Sequence, residues 1–266
     1  MSLEDASEET PPEERLVGAD RVVAVLTELA EHPLGITLDE LAGILRSSKP
    51  TVHRALATLR RAGLADLMTR GVYVLGDEYL RLAFRNLDGR PEHARMQPLL
   101  QDLAEQFGET AHYAVLSGTD IVYRAKADPP QGAVRLTSVV GGRNPAYATA
   151  VGKALLSGRL RSEADVAEWL GNAPLVQKTS TTIATPAGLH HELEAARERG
   201  FAVDDQENEV GINCLAVPIH LDGSPTPSGA VSVSAVAFRC TVAALVEEVP
   251  AIRDAISRRL GPNTLG

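Results

Sequence analysis

Between Asp20 and Leu75 the chain carries three short apolar stripes at helical spacing, followed by two β-like runs around a glycine. Few architectures accept that order. Asp20 can cap a first helix whose stripe is Val22, Val25, Leu26 and Leu29. His32-Pro33-Leu34-Gly35 stops it, and Thr37 or Asp39 opens a second helix burying Leu38, Leu41, Ala42 and Leu45. After Arg46-Ser47-Ser48-Lys49, with Ser48 a possible cap, Pro50 suits the first turn of a third helix, where its missing N–H costs nothing. That helix buries Val52, Ala55, Leu56 and Leu59 and stops at Gly63. Leu64–Met68 and Val72–Leu75, around Thr69-Arg70-Gly71, predict a hairpin. Three helices and a hairpin make a winged helix-turn-helix.

Charge says what such a unit touches. The whole chain carries a formal -9, yet between Arg46 and Arg70 six cations, Arg46, Lys49, Arg54, Arg60, Arg61 and Arg70, face one acid, Asp66. DNA affinity rests largely on phosphate neutralisation, so the local excess outweighs the total. The outer face of the third helix offers Ser48, Lys49, Thr51, His53, Arg54 and Thr58 to a major groove. Arg54 can pair bidentately with guanine, and Thr51 can meet a phosphate or a thymine methyl. Arg60, Arg61 and the wing's Arg70 are expected on phosphates. Residues 1–14 hold six acids and Pro11-Pro12, and are expected to be a disordered acidic tail.

Beyond the hairpin, residues 77–107 read as helix broken at Asp88-Gly89-Arg90-Pro91, with Pro98 a second irregularity. From Thr110 the pattern becomes β-like at Ala111–Leu116, Ile121–Ala125 and Val134–Val139. Helices are predicted at Val151–Leu160, Glu163–Leu170 and Pro186–Arg199. Strands follow at Phe201–Val203, Cys214–His220 and Ala230–Val236, then a helix over Val242–Leu260. That order predicts an α+β domain around an antiparallel sheet.

Three segments carry a further signal. The run from Gly141 through Pro145, Thr149 and Ala150 to Gly152-Lys153-Ala154 resembles the G-x3-P-x3-T-A-x-G-K-A signature of IclR-type transcriptional regulators. Glu207 to Ile219 is similar to that family's second motif, and Ser232-Val233-Ser234 to its third. The resemblance spans about residues 18–260. It implies a winged helix-turn-helix over 15–76, a linker helix over 77–95 and a GAF-like effector and oligomerisation domain over 96–262, with a six-stranded antiparallel sheet. It also implies a homodimer or homotetramer on palindromic double-stranded operator DNA. A small-molecule effector, an organic acid, is then expected against backbone at Ala150 and Val151 and the side chains of Asp204, Cys214, Ser232 and Ser234, with Leu136 on the apolar side. One departure is clear: the family often follows its third motif with Ser-Gly-Pro, whereas Ser234 here precedes Ala235-Val236-Ala237-Phe238.

Physical chemistry supports such a pocket independently. A helix opening at Ala-Val-Gly-Lys offers unpaired N–H groups to an anion. Serines two apart on a strand share a face, and each hydroxyl donates and accepts. Asp204 has an equally good structural use as a loop cap beside Asp205, and Cys214 as a small buried wall. Lys153 reads as exposed or structural, with no ligand role. Gly152-Lys153 lacks the spacing and hydroxyl of a nucleotide-binding loop.

Other classes fare less well. An aromatic content of 4% argues against a base-stacking platform, and two cysteines without CxxC spacing argue against a zinc or disulfide framework. His112 and His220 could approach one another, but no ligand spacing supports a metal, and no cofactor is expected. An enzyme using Cys214 lacks a base in its motif, so no catalytic residue is assigned. An architectural DNA-binding protein without effector is the remaining alternative. No stretch reaches the roughly 18 apolar residues of a membrane helix, so no membrane partner and a cytoplasmic location are expected.

Overall fold

The structure is a computed structural model describing residues 18–68, 71–89, 91–129, 136–221 and 223–265. The acidic tail and wing residue Arg70 lie outside the described residues. The chain divides into two compact units between Gly89 and Arg90, inside the stretch read as a linker.

The first unit is a winged helix. Helix α1 (Ala19–Glu31) begins from Gly18 without a side-chain cap, so Asp20 lies within its first turn and does not cap it. Strand β1 (Ile36–Thr37) leads into α2 (Leu38–Ile44), where Thr37 and Glu40 form a reciprocal capping box. Arg46, at φ 44°, turns the chain sharply into α3 (Lys49–Arg61). Ser48 occupies the N-cap position, but its hydroxyl bonds to Thr51 Oγ1 at 2.8 Å and caps no amide. Gly63, at φ 71°, makes the left-handed turn after α3 into β2 (Ala65–Leu67) and β3 (Val72–Leu75). The sheet order β1-β3-β2 includes β1, a strand the sequence pattern did not reveal. Val25, Leu29, Leu41, Val52, Leu56, Leu59 and Tyr73 form its core. Helix α4 (Asp77–Asp88) follows, with Tyr79, Leu80, Leu82 and Phe84 exposed.

The second unit begins with α5 (Pro91–Phe107), which contains Pro98. Strands β4 (Thr110–Ser117) and β5 (Asp120–Ala127) form a hairpin. The run at Leu136–Val139 is not a strand, although its branched side chains favour one; Val134 lies outside the described residues. The next strand is β6 (Arg143–Pro145), followed by a 3-10 turn and α6 (Ala150–Ser157). Helices α7 (Glu163–Leu170) and α8 (Pro186–Arg199) precede strands β7 (Ala202–Asp205), β8 (Ile212–Ile219) and β9 (Gly229–Val236). The expected final helix is broken at Glu248 into α9 (Val242–Glu247) and α10 (Val249–Leu260), with Pro250 starting the second segment.

All six strands pair antiparallel in the order β6-β5-β4-β9-β8-β7. The two-residue period sorts the sheet's faces. Tyr113, Leu215, Val217, Val231 and Val233 join Leu99, Leu103, Leu245, Ile252 and Ile256 in one core. On the other face Ala114, Ala202, Ala216 and Ala230 pack with α6 and α8 residues including Leu155, Leu156 and Leu193. Alanines let α6 approach closely; two residues along each strand the side chains become polar.

Candidate functional site

Those polar positions form two rows across the sheet. Asp204 pairs in register with Cys214, Cys214 with Ser234 and Ser234 with Thr110; Ser232 pairs with His112. Directly opposed side chains stand roughly 5 Å apart, and all of these residues except Thr110 line one cavity of about 740 Å³. Leu136, Ala150, Val151, Asp204, Cys214, Ser232 and Ser234 all line it. Sequence reasoning missed His112 and Tyr123 as wall residues: each sits mid-strand in an ordinary alternation, with nothing local to mark it.

Helix α6 supplies one polar edge. Thr149 Oγ1 accepts the Gly152 N–H at 3.1 Å, and the Lys153 N–H reaches Thr149 O at 2.9 Å. The amides of Ala150 and Val151 precede the intrahelical ladder and border the cavity, where a helix start favours an anion. At the β7 edge Asp204 Oδ1 accepts the Glu207 N–H at 2.7 Å and the Asn208 N–H at 3.4 Å. Asp204 therefore caps its loop and lines the cavity at once. Burial pushes its carboxyl up to about 7, against the pull of Lys153 and the Glu207 amide.

The far wall is a neutral hydrogen-bonding cluster. His112 Nε2 lies 2.8 Å from Ser138 Oγ, its Nδ1 3.5 Å from Ser234 Oγ, and its ring 4.7 Å from that of Tyr123. Burial, with Lys126 nearby, lowers His112 to about 3; burial raises Tyr123 to about 12. Lys126 Nζ donates to Leu136 O at 2.9 Å and Ser138 O at 2.8 Å, fixing the loop that presents Leu136. Burial raises the Cys214 thiol well above its usual range, so it is a neutral wall group. His220 bonds to Ser224 O, away from these residues, and no metal-ligating cluster occurs among the described residues.

Lys153, half expected at the surface, is fully buried. It pairs with Glu207 and stands 3.8 Å from Glu192 Oε1.

In the first unit, α3 exposes Lys49, His53, Arg54, Thr58, Arg60 and Arg61, with Ser48 exposed before it and Thr51 half-buried. Arg61 Nη2 bonds to Thr58 Oγ1 at 3.2 Å, and Thr58 Oγ1 donates to Arg54 O at 3.1 Å. Lys49 Nζ pairs with Asp39 Oδ2 of α2 at 2.9 Å.

A winged helix whose third helix presents a basic face, followed in the chain by a sheet domain with a polar cavity, is the plan of a ligand-responsive, DNA-binding regulator of transcription. Comparison with known proteins makes the class specific. The C-terminal domain of bacterial IclR transcriptional regulators matches residues 86–258, and the IclR helix-turn-helix domain matches residues 18–66. The Pca regulon regulatory protein of Pseudomonas putida is 32% identical over 240 residues, covering 90% of this chain and 81% of that protein. The crystal structure of the Thermotoga maritima IclR aligns with a TM-score of 0.72 at 29% identity, over 91% of this chain and 97% of that one. An IclR homolog from Microbacterium hydrocarbonoxydans, complexed with 4-hydroxybenzoate, shares the fold with a TM-score of 0.71 at 20% identity, over 91% and 98% of the two chains. The chain belongs to the IclR family of bacterial transcriptional regulators. Among the described residues, no helix is long and apolar enough to cross a membrane.

Proposed function

We propose that this regulator binds an organic acid in the cavity of its second unit and reads a palindromic operator with the first. The observation that carries the effector reading is the convergence of an α6 start, the Asp204–Cys214–Ser234 row and Ser232 on one cavity. The ligand carboxylate takes the amides of Ala150 and Val151. Ser232, Ser234 and Asp204 bind its other polar groups, and Leu136 packs its apolar part. The 4-hydroxybenzoate held by the Microbacterium homolog supports an acid of similar chemistry. A raised Cys214 thiol and a neutral His112 disfavour a cysteine nucleophile, so the reading is a sensor and not an enzyme.

On DNA, Arg54, with Ser48, Lys49, Thr51, His53 and Thr58, faces the major groove, while Arg60, Arg61 and Arg70 take phosphates. The working assembly is a homodimer or homotetramer in the cytoplasm, organised as winged helix (15–76), linker (77–95) and effector domain (96–262). Paired recognition helices then meet half-sites roughly 34–36 Å apart or at multiples of that distance. Effector binding shifts the assembly between geometries of different operator affinity.

Two measurements test this. Thermal melting against a panel of small carboxylic acids, including 4-hydroxybenzoate, should raise the transition with at least one acid. Mobility shift with fragments of the source chromosome should retain duplexes at low salt, with retention altered by that acid. A panel without any stabilising acid would remove the organic-acid reading; no retained duplex would remove the DNA reading.

A further inference from the structure

Once Ala150 and Val151 have taken the ligand role in their motif, Lys153 remains without one. Its side chain is fully buried and paired with Glu207. Glu192, 3.8 Å away, also binds Arg199 Nη2 at 2.6 Å and so connects the pair to α8. A buried ion pair adds little net stability over well-packed apolar side chains. Its placement offers a better account. Lys153 lies one helical turn after Ala150, at the α6 start that borders the cavity. Glu207 donates its own N–H to Asp204 Oδ1 at the β7 edge of the same cavity. The hydroxyls of Thr179 and Thr182 hold the same loop from outside, on Gln206 O at 2.7 Å and Glu207 O at 2.6 Å. One ion pair therefore ties the two polar edges of the cavity together.

Building on the effector reading above, we propose that Lys153 is a positioning residue for effector recognition: through Glu207 it fixes the span between the α6 amides and the Asp204 carboxyl. It touches no ligand itself. Its effect is on which acids fit, because a ligand bridging both edges must match that span.

The test uses the full chain. Lys153→Met alone strands Glu207 in the interior and can unfold the protein, so the informative variant is Lys153→Met with Glu207→Met, which replaces the pair by apolar side chains. Glu207→Gln, which keeps the shape, is the milder second variant. Amide hydrogen exchange is followed without ligand, and 4-hydroxybenzoate is titrated by calorimetry. The double variant should melt near wild type, yet the amides of Glu207 and Asn208 should exchange about tenfold faster. Its affinity for 4-hydroxybenzoate should fall about tenfold, the worth of one well-aligned hydrogen bond. A merely structural pair predicts neither change once melting is restored. Unchanged exchange at Glu207 and Asn208 overturns the proposal, and so does unchanged affinity where wild type binds. If wild type itself does not bind 4-hydroxybenzoate, the acid that raises its melting transition takes its place in the titration; if no acid does, the effector reading fails separately, and unchanged exchange still overturns the role of Lys153.

Discussion

Gly152 lies so close to Ala146 that a β-carbon on it would stand 2.1 Å from the Ala146 carbonyl oxygen. The turn before α6 folds directly over the helix's first turn, bringing the start of the helix to the cavity. In an ordinary helix, Gly→Ala stabilises by about 0.5–1 kcal/mol. Here the sign reverses: Gly152→Ala should destabilise by about 1–3 kcal/mol through overpacking. Chemical denaturation with an unchanged m-value would check this. A stabilised variant would mean that the turn can retreat from the helix.

Asp204 and His112 make opposite contributions to stability against pH. Asp204 rises from 3.8 to about 7 on folding, so the native state holds its proton where the unfolded chain has released it. Its contribution is complete below about pH 4 and is lost as pH climbs to 7. Asp204→Asn should therefore gain stability relative to wild type at pH 8, by up to about 4 kcal/mol, and the gain should vanish near pH 4. Denaturation midpoints across that range are the measurement; a pH-independent difference would contradict a proton taken up on folding.

His112 falls from 6.5 to about 3 on folding, so the unfolded chain binds a proton that the native state refuses. Stability is lost as pH drops from 6.5 toward 3. His112→Gln cannot gain that charge and should show a shallower acid limb than wild type, whatever it loses in packing against Tyr123. Between pH 4 and 6.5 the His112 and Asp204 slopes oppose each other. The two single variants should consequently depart from wild type in opposite directions as pH changes.

On DNA the exposed face of α3 predicts a division of labour. Arg54→Ala should weaken binding to the operator more than to random duplex, by about 1–3 kcal/mol if it pairs with a guanine. Arg60→Ala and Arg61→Ala should weaken both duplexes alike and each reduce the salt dependence by about one unit. Competition binding at several salt concentrations separates the two behaviours. Equal losses for Arg54→Ala would make it another phosphate contact.

Two helices, Glu163–Leu170 and Pro186–Arg199, match α7 and α8 at both bounds, whereas the helix expected over Val151–Leu160 stops three residues early, at Ser157, where Gly158 takes the C-cap. Elements lacking periodicity were not legible: β1 has two residues, and β6 is Arg143-Asn144-Pro145, so neither can alternate visibly. Leu136–Val139 looked β-like from its composition, yet its Leu136 and Ser138 carbonyls are held by Lys126 and not by a neighbouring strand. All seven effector candidates line one cavity; Ala150, Val151, Cys214, Ser232 and Ser234 fall inside the three motif segments, whereas Leu136 and Asp204 lie just outside them. For Lys153 the sequence leaves an exposed and a structural place open, because lysine is rarely buried unless paired and its partner Glu207 is 54 residues away; the structure selects the structural one. His112 was hidden for the same reason: its partners Ser138 and Ser234 are 26 and 122 residues distant.

The bridge from Lys49 to Asp39 gives the recognition helix an internal competitor for its ligand. On the proposed docking an anion near Lys49 meets a carboxylate 2.9 Å from Nζ, an exposed and weak competitor that trims the number of sodium or potassium ions this lysine would release from the duplex. Counting cations on α3 thus overstates the electrostatic grip on arbitrary sequence. The deduction is at most one charge, so discrimination between sequences would have to rest on base contacts such as the one proposed for Arg54.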